Sequence, residues 1–232
     1  MDGGRHDCAD FDVLEPLGRV GLGSRKLVPR GSSMIAKDIL TRESFAAVYA
    51  QQGNPVARDI YASMGYALSC WEHCETSLAS LFTAFAKPTG GTWIAFRAYG
   101  AVMAHNSRRD MIAGAAEAYF SVFPNDDLYS RLTSLLALYQ AASGRRNDIA
   151  HAVVMSEPVV PGKPDTYFLM PSFHASRKQG VQPLNPKYRY STVEIDHYAG
   201  LFGQMGAITG KLMQDVRAAY EALPEKLKER FP

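Results

Sequence analysis

Residues 60–85 read IYASMGYALSCWEHCETSLASLFTAF. Apolar side chains recur in this stretch at alternating steps of four and three residues, the period of one face of an α-helix. The positions that follow this period are Ile60, Met64, Ala67, Trp71, Cys74, Leu78, Leu81 and Phe85. They predict one long helix that turns this face to a core. We expect the helix to start at Asn54-Pro55, with Asn54 as the N-cap and Pro55 at the first helical position.

Two neighbouring stretches also show helical patterns. Residues 41–51 predict a short helix that ends at Gly53. Residues 92–121 predict one helix or two, with a break at Asn106 and with Ser107 as the cap of the second part. The apolar side of the first part consists of Trp93, Phe96, Tyr99 and Met103.

Two more helices frame an irregular segment. Residues 124–126, Pro-Asn-Asp, start one of them, and a capping box at residues 191–194 starts the last one, over residues 192–221. Between these helices the chain is rich in Pro, Gly and Lys and contains one β-like run, 166–170, which can pair with 152–155. The sequence therefore predicts an all-α fold: a bundle of four to five long helices with a short β-hairpin or loop insertion before the last helix.

The first part of the chain contains a sequence used in expression vectors. Residues 27–32 read LVPRGS, which is a thrombin cleavage site. We therefore predict that residues 1–33 are an expression tag with vector-derived sequence, and we leave them out of the fold prediction. Residues 34–232 have a length that suits a single helical domain.

Composition restricts the class of protein. The formal net charge of +2 argues against a nucleic-acid binder that works by bulk charge, although a local basic patch is compatible with it. Outside the tag only Cys70 and Cys74 remain, so no disulfide framework is predicted. No apolar run approaches the roughly 20 residues of a membrane span. These features predict a cytoplasmic protein with no membrane association.

One arginine interrupts an otherwise apolar helix face. The face is formed by Leu128, Leu132, Leu135, Tyr139, Ala142, Ile149 and Val153. The position that continues it between Ala142 and Ile149 is Arg146. A charge at such a position requires either a buried partner or a function. Arg146 is followed by Asn147 and, four residues later, by His151 on the same helix.

The run from Arg146 to His151 resembles the arginine–histidine signature of the HEPN superfamily. In that signature four to six residues separate the two, and a polar residue, here Asn147, usually follows the arginine. Family members are small helical bundles that carry the signature on a late core helix. The long first helix with Trp71 and Glu75 near its middle is similar in context.

The resemblance implies a metal-independent endoribonuclease that requires no cofactor. His151 would accept the proton of an RNA 2′-hydroxyl, Arg146 would stabilise the phosphorane, and Asn147 would orient either group. Arg145, Arg108 and Arg109 are the candidate contacts to RNA phosphates. The family further implies a homodimer whose groove is shared by two subunits, a toxin or phage-defence role, and an antitoxin or nucleotidyltransferase partner.

Other interpretations of these residues stay open. Arg146 can extend from the bundle or pair with a carboxylate such as Glu75, in a bundle of purely structural role. A non-catalytic module that binds RNA or a protein is the alternative function. Cys70, His73 and Cys74 suggest a metal site, but the sequence offers no second pair of ligands with suitable spacing, so no metal is predicted. The aromatic pair Tyr188 and Tyr190 is expected to pack in the core rather than stack on bases.

Overall fold

A computed structural model describes residues 40–86, 92–157, 165–172 and 186–228. The predicted tag, 1–33, lies outside the described residues. After a short 3-10 turn, Glu43–Phe45, the elements are α1 (Ala57–Ala86), α2 (Thr92–Ala101), α3 (His105–Val122), α4 (Asp126–His151), β1 (Ala152–Glu157), β2 (Thr166–Pro171), α5 (Thr192–Glu221) and α6 (Glu225–Lys228). The described part of the chain is predominantly helical, as predicted, with one small antiparallel sheet.

The two longest helices, α1 and α5, form the centre of the bundle, and they pack against each other more extensively than any other pair of elements. At Gly206 of α5 the two helices are in contact, since a Cβ built at this position would lie 3.5 Å from Cα of Cys74, an ordinary van der Waals distance. Trp71 joins three helices: its ring stacks on Tyr139 of α4 at 5.5 Å and meets Phe202 of α5 edge-on at 5.3 Å. The predicted apolar face of α1 is buried, apart from the half-buried Met64.

The start of α5 and the sheet confirm the predicted local patterns. Ser191 is the N-cap of α5, and its capping box with Glu194 is complete. β1 and β2 pair antiparallel, with Val153 opposite Met170 and Met155 opposite Phe168. Since the side chain of Val153 belongs to β1 and is exposed, it does not extend the buried face of α4 as the sequence predicted.

The predicted helix over 41–51 is wrong beyond its first residues. Only the 3-10 turn is helical, and the chain then runs beside the segment that precedes α5. Ala50 N donates to the carbonyl of Arg189 at 2.7 Å, while the Arg189 guanidinium donates back to the Ala50 carbonyl. The same guanidinium lies between the rings of Tyr49 and Phe168, 4.4 and 4.2 Å from their centroids. Distant partners therefore replace the local hydrogen bonds of a helix.

Asn54 is not the N-cap of α1, which begins at Ala57. Its backbone instead pairs with Tyr167 of β2, and its side chain contacts the first residue of α5. There Asn54 Nδ2 donates to Thr192 Oγ1, and Asn54 Oδ1 accepts from Thr192 N, both at 2.9 Å. The second bond satisfies one of the amide groups that a helix start leaves without a partner. Asn54 thus ties the entry of α1 to the sheet and to α5.

The break between α2 and α3 lies earlier than predicted. It covers residues 102–104, and Ala104 occupies the N-cap of α3 without a side-chain hydrogen bond, so Ser107 lies inside the helix and does not cap it. The predicted apolar side of α2 is also only partly buried. Tyr99 is buried, whereas Trp93 and Met103 are 71% and 86% exposed. Among the described residues, no helix combines the length and apolar character that crossing a bilayer demands.

Replacing Asn54 with Ala should destabilise the fold by about 1–3 kcal/mol, because Thr192 N loses its acceptor inside a partly buried contact. Urea unfolding followed by circular dichroism measures this difference. Gln52→Ala, at an exposed position two residues earlier, is the matched control and should change the free energy of unfolding by less than about 0.5 kcal/mol. Equal effects of the two variants would contradict the assigned role of Asn54.

Candidate functional site

Arg146 lies on the last turns of α4, half-buried, between the buried Ala142 and Ile149. Its Nη1 donates to Oδ1 of the adjacent Asn147 at 3.3 Å. Its Nε is buried and has no acceptor among the described residues. No carboxylate in the described part of the chain forms an ion pair with it, so Glu75 is not its partner. Within the described ranges, the guanidinium that interrupts the apolar face therefore has no neutralising partner.

The other two residues of the predicted motif are exposed. Asn147 follows Arg146, and His151 is the last residue of α4. They are four residues apart on one helix and so share one side of it. Apart from the bond between Arg146 and Asn147, no hydrogen bond or ion pair among the described residues holds either side chain. The imidazole of His151 is thus accessible and has no hydrogen-bond partner in the described part of the chain, and the amide of Asn147 is accessible and contacts only Arg146 there.

On the other side of the last turns of α4, side chains form hydrogen bonds and an ion pair that hold the segment before α5. Arg145 Nη2 lies 3.1 Å from Asp148 Oδ2, which also accepts from the Tyr190 hydroxyl at 3.2 Å. Tyr188 donates to the Asp148 carbonyl at 3.0 Å, and the two tyrosine rings stack at 4.7 Å. Burial raises the pKa of Asp148 more than Arg145 and Tyr190 lower it. Tyr188 and Tyr190 are core residues, as predicted, and Arg145 is 13% exposed and engaged within the fold.

A buried carboxylate connects the first four helices. Glu75 of α1 is only 4% exposed and accepts from the hydroxyls of Tyr139 of α4, at 2.8 Å, and Tyr99 of α2, at 3.0 Å. Arg108 Nη1 of α3 lies 3.0 Å from its second oxygen, and Nδ1 of His105 lies 3.3 Å from the first. Burial, followed by the Glu75 charge, raises the pKa of both tyrosines, so their hydroxyls remain donors at any physiological pH. We call these five residues the Glu75 cluster.

The contacts of His105 determine its tautomer. Its Nδ1 lies 3.3 Å from the Tyr139 hydroxyl as well as from the Glu75 carboxylate. The Tyr139 hydroxyl donates its hydrogen bond to Glu75. Both neighbours of Nδ1 therefore act as acceptors toward the ring, and Nδ1 carries the imidazole proton. Nε2 of the neutral ring then holds a lone pair. Burial lowers the pKa of His105; Glu75 opposes this effect, and the charges of Arg146 and Arg108 add to it.

The structure separates the three arginines predicted to contact RNA. Arg108 belongs to the Glu75 cluster, and its Nε donates to the Val102 carbonyl at 2.7 Å, which fixes the turn between α2 and α3. Arg109 contacts Asp110 and Gln140, both at 2.7 Å. Arg109 and Gln140 also line a cavity of about 360 Å³ between α3 and α4, whose lining includes no residue of the predicted motif. None of the three, Arg108, Arg109 or Arg145, shares a described hydrogen bond with Arg146.

Tyr99 and Tyr139 were predicted only as apolar positions, and their hydroxyls were missed as ligands of a buried carboxylate. The sequence contains a signal for such a site. Glu75 comes four residues after Trp71 and three before Leu78, so it lies on the apolar face of α1 as Arg146 lies on that of α4. An acidic residue on one core face and a basic residue on another indicate a buried polar cluster. They do not show which basic side chain pairs with the carboxylate.

Comparisons with protein-family models, with curated proteins and with solved structures found no match to this chain. Cys70 and Cys74 of α1 are buried in the core of the bundle. Within the described ranges, no group of three or more His, Cys, Asp or Glu side chains is arranged to hold a metal ion. The side chains that can carry chemistry are therefore Arg146, its neighbours on α4 and the Glu75 cluster.

Replacing Glu75 with Ala should destabilise the protein by about 3–5 kcal/mol, because Arg108 loses its buried counter-charge and two tyrosine hydroxyls lose their acceptor. Guanidinium chloride unfolding provides the measurement. The exposed Glu72, one turn earlier, offers a matched control, and Glu72→Ala should leave the midpoint nearly unchanged. A Glu75→Ala protein as stable as Glu72→Ala would refute the structural role of the cluster.

The lowered pKa of His105 predicts a pH dependence of stability. Between its ordinary pKa of 6.5 and the lower value in the fold, the unfolded state binds more protons at this residue. The free energy of unfolding should therefore decrease as the pH falls below 6.5. His105→Gln should remove this contribution, whereas the exposed control His73→Gln should retain the wild-type slope. Urea unfolding at a series of pH values tests the difference, and identical slopes in the two variants would show that His105 does not contribute.

Proposed function

We propose that this protein is a metal-independent endoribonuclease of the HEPN type, acting on RNA as a homodimer. The observation that carries the proposal is the state of Arg146. A half-buried guanidinium whose buried Nε has no acceptor among the described residues is costly unless an anion completes it. A phosphodiester supplies acceptor oxygens in the geometry that a guanidinium binds. The resemblance of residues 146–151 to the HEPN signature supports the same ligand.

The proposed reaction uses the nucleophile of the substrate. His151 accepts the proton of the 2′-hydroxyl, and the 2′-oxygen attacks phosphorus while the bond to the 5′-oxygen breaks. Arg146 stabilises the charge that grows on the phosphorane, and Asn147 positions a phosphate oxygen or the imidazole. The products are a 2′,3′-cyclic phosphate and a 5′-hydroxyl. The nucleophile comes from RNA, so the scheme needs neither a metal ion nor a nucleophilic side chain.

The proposal extends to assembly and biological role. The exposure of Asn147 and His151 suits a groove completed by the same residues of a second subunit. A toxin or phage-defence effector is the role that we propose for such a nuclease. An antitoxin or a nucleotidyltransferase would then be the partner that controls it.

A non-catalytic HEPN-like module that binds RNA or a protein partner is the second candidate. The exposed position of His151 favours it, because no described residue orients the imidazole as a general base requires. This candidate predicts binding through Arg146 without cleavage. The two candidates therefore differ in product formation and agree on the importance of Arg146.

Purified protein should cleave RNA in the presence of EDTA, and the cleaved ends should carry 2′,3′-cyclic phosphate. Arg146→Ala and His151→Ala should each reduce the rate at least about 100-fold, because one removes the phosphorane contact and the other the base. Gel analysis of end-labelled RNA, with phosphatase treatment to identify the termini, measures both. His73→Ala, on the exposed side of α1, is the control and should cleave at the wild-type rate.

Cleavage that disappears with EDTA or persists in both α4 variants would contradict the nuclease proposal. RNA binding without cleavage, weakened by Arg146→Ala, would establish the binding module instead. Gel-shift assays on the same proteins separate these outcomes. Thermal unfolding of each variant excludes loss of the fold as the cause.

A further inference from the structure

The cavity of about 360 Å³ between α3 and α4 is here called the α3–α4 groove. We propose that this groove is a second subsite for RNA, which binds the phosphate of one nucleotide through Arg109 and stacks its base on Tyr129. The inference deepens the proposed function and rests on it for the identity of the ligand as RNA. Since Arg146, Asn147 and His151 do not line the groove, the subsite and the nuclease activity can be tested separately.

The α3–α4 groove is long enough to have two distinct ends. Its α3 side consists of Arg109, Ala113 and Glu117, which follow one another at steps of four residues and so lie in a row along the helix. Arg109 and Glu117 differ by eight positions, which is about 12 Å along an α-helix. The volume is within the range of roughly 300–1,000 Å³ that is typical of small-ligand sites. One nucleotide unit is therefore a ligand of suitable size.

The Arg109 end is rich in N–H donors. Arg109 Nη1 donates to Gln140 Oε1 at 2.7 Å, and its Nε and Nη2 donate to Asp110 Oδ1. A guanidinium has five N–H groups, so two of them have no acceptor among the described residues. The Gln140 oxygen is occupied by Arg109, and its amide therefore presents N–H groups to a ligand. Guanidinium and amide donors of this kind bind phosphate oxygens.

The other end carries an aromatic ring and a carboxylate. Tyr129 lines the groove, is 45% exposed, and has its ring edge-on to Phe120 at 5.7 Å. Because Phe120 comes one turn after Glu117 on α3, Tyr129 and Glu117 share this end. Exposed tyrosine rings stack on the bases of single-stranded RNA. The exposed Glu117 can accept hydrogen bonds from N–H groups on the edge of a base.

The charges of the groove suit a ligand that is anionic at one end only. Arg42 is a second cation in the lining, and its side chain forms no hydrogen bond or ion pair with a described residue. Asp110 does not line the groove, so Glu117 is the one acidic residue among the described lining residues. Its distance from Arg109 along α3 exceeds the Debye length of about 8 Å at physiological ionic strength. Glu117 therefore does not oppose a phosphate at Arg109.

The face of α4 that lines the groove continues into the proposed active site. Thr133 and Gln140 line the groove, and Asn147 follows at the same interval of seven residues, which is close to two helical turns. His151 lies on the same side of α4, about 16 Å beyond Gln140. Between them, a Cβ built at Gly144 would meet no atom within 4 Å. In the described part of the chain, this face is therefore open at Gly144, where a strand bound in the groove would pass toward His151.

Mononucleotides test the groove without cleavage. The full chain is titrated with GMP, whose base offers two adjacent N–H groups to a carboxylate, and separately with guanosine and with inorganic phosphate. Isothermal titration calorimetry measures the affinities. We expect GMP to bind at least about tenfold more tightly than guanosine or phosphate, because each of these contacts only one end. A short 2′-O-methyl RNA, which cannot be cleaved, should bind more tightly still and displace GMP.

Variants assign the two ends of the ligand. Arg109→Gln should weaken GMP binding at least about tenfold and leave guanosine binding unchanged. Tyr129→Ala should weaken GMP and guanosine about tenfold and leave phosphate binding unchanged. Arg97→Gln on α2 and Tyr61→Ala on α1 replace exposed residues outside the groove and should bind GMP as the wild type does.

Cleavage kinetics show whether the groove contributes to the reaction. Arg109→Gln and Tyr129→Ala should each raise KM for RNA about tenfold and change kcat by less than about twofold, because they remove binding at a distance from the reacting bond. The controls Arg97→Gln and Tyr61→Ala should retain both constants. A fall in kcat at unchanged KM would contradict the role of the groove as a binding subsite.

Absence of GMP binding, or equal affinities for GMP in Arg109→Gln, Tyr129→Ala and the wild type, would overturn the inference. RNA that does not displace GMP would assign the groove to free nucleotides and also overturn it. A change of oligomeric state in both groove variants, measured by sedimentation, would show instead that a second copy of the chain covers the groove. GMP and RNA binding without cleavage would leave the subsite standing and reject the nuclease proposal, whereas cleavage with an unchanged KM in both groove variants would do the reverse.

Discussion

The arrangement of the bundle depends on one buried charge. Glu75 lies in the apolar core, where an isolated carboxylate would be very costly, and the fold compensates with donors from three other helices. Tyr99, Tyr139 and Arg108 can reach it only if α2, α3 and α4 take defined positions around α1. The same cluster uses Arg108 as the counter-ion and sets the tautomer of His105, and Arg146 has no carboxylate partner among the described residues. Packing and candidate chemistry therefore have a common origin.

The features predicted correctly from the sequence are those determined over short distances along the chain. The four-and-three spacing of α1, the capping box of Ser191 and the β-like run 166–170 each specify local geometry. The wrong predictions concern segments with distant partners. Asn54 satisfies the local rule for an N-cap, yet its amide is used by Thr192, 138 residues later. Residues 46–54 pair with the chain before α5 and with β2, and no periodicity encodes that choice.

In the candidate site, too, the sequence shows the local features and only the fold shows the distant partners. Arg146 was recognisable because a charge on an apolar face is visible in the sequence, and the structure indeed leaves it without an anionic partner among the described residues. The roles of Arg145 and Arg108 were not predictable, since only the fold shows that a carboxylate lies beside each of them. His105 could not be singled out from the sequence, because its contacts are with Glu75 and Tyr139 from two other helices.

Trp71 gives this arrangement an optical consequence. A protonated imidazole quenches indole emission on contact, and the ring of His105 lies edge-on against this indole. The chain contains only two tryptophans, and the second, Trp93, is largely exposed and emits at longer wavelength. We therefore expect the blue-shifted fraction of the fluorescence to respond to the protonation of His105 in the unlabelled protein. The core of the bundle thus carries its own optical probe beside the Glu75 cluster.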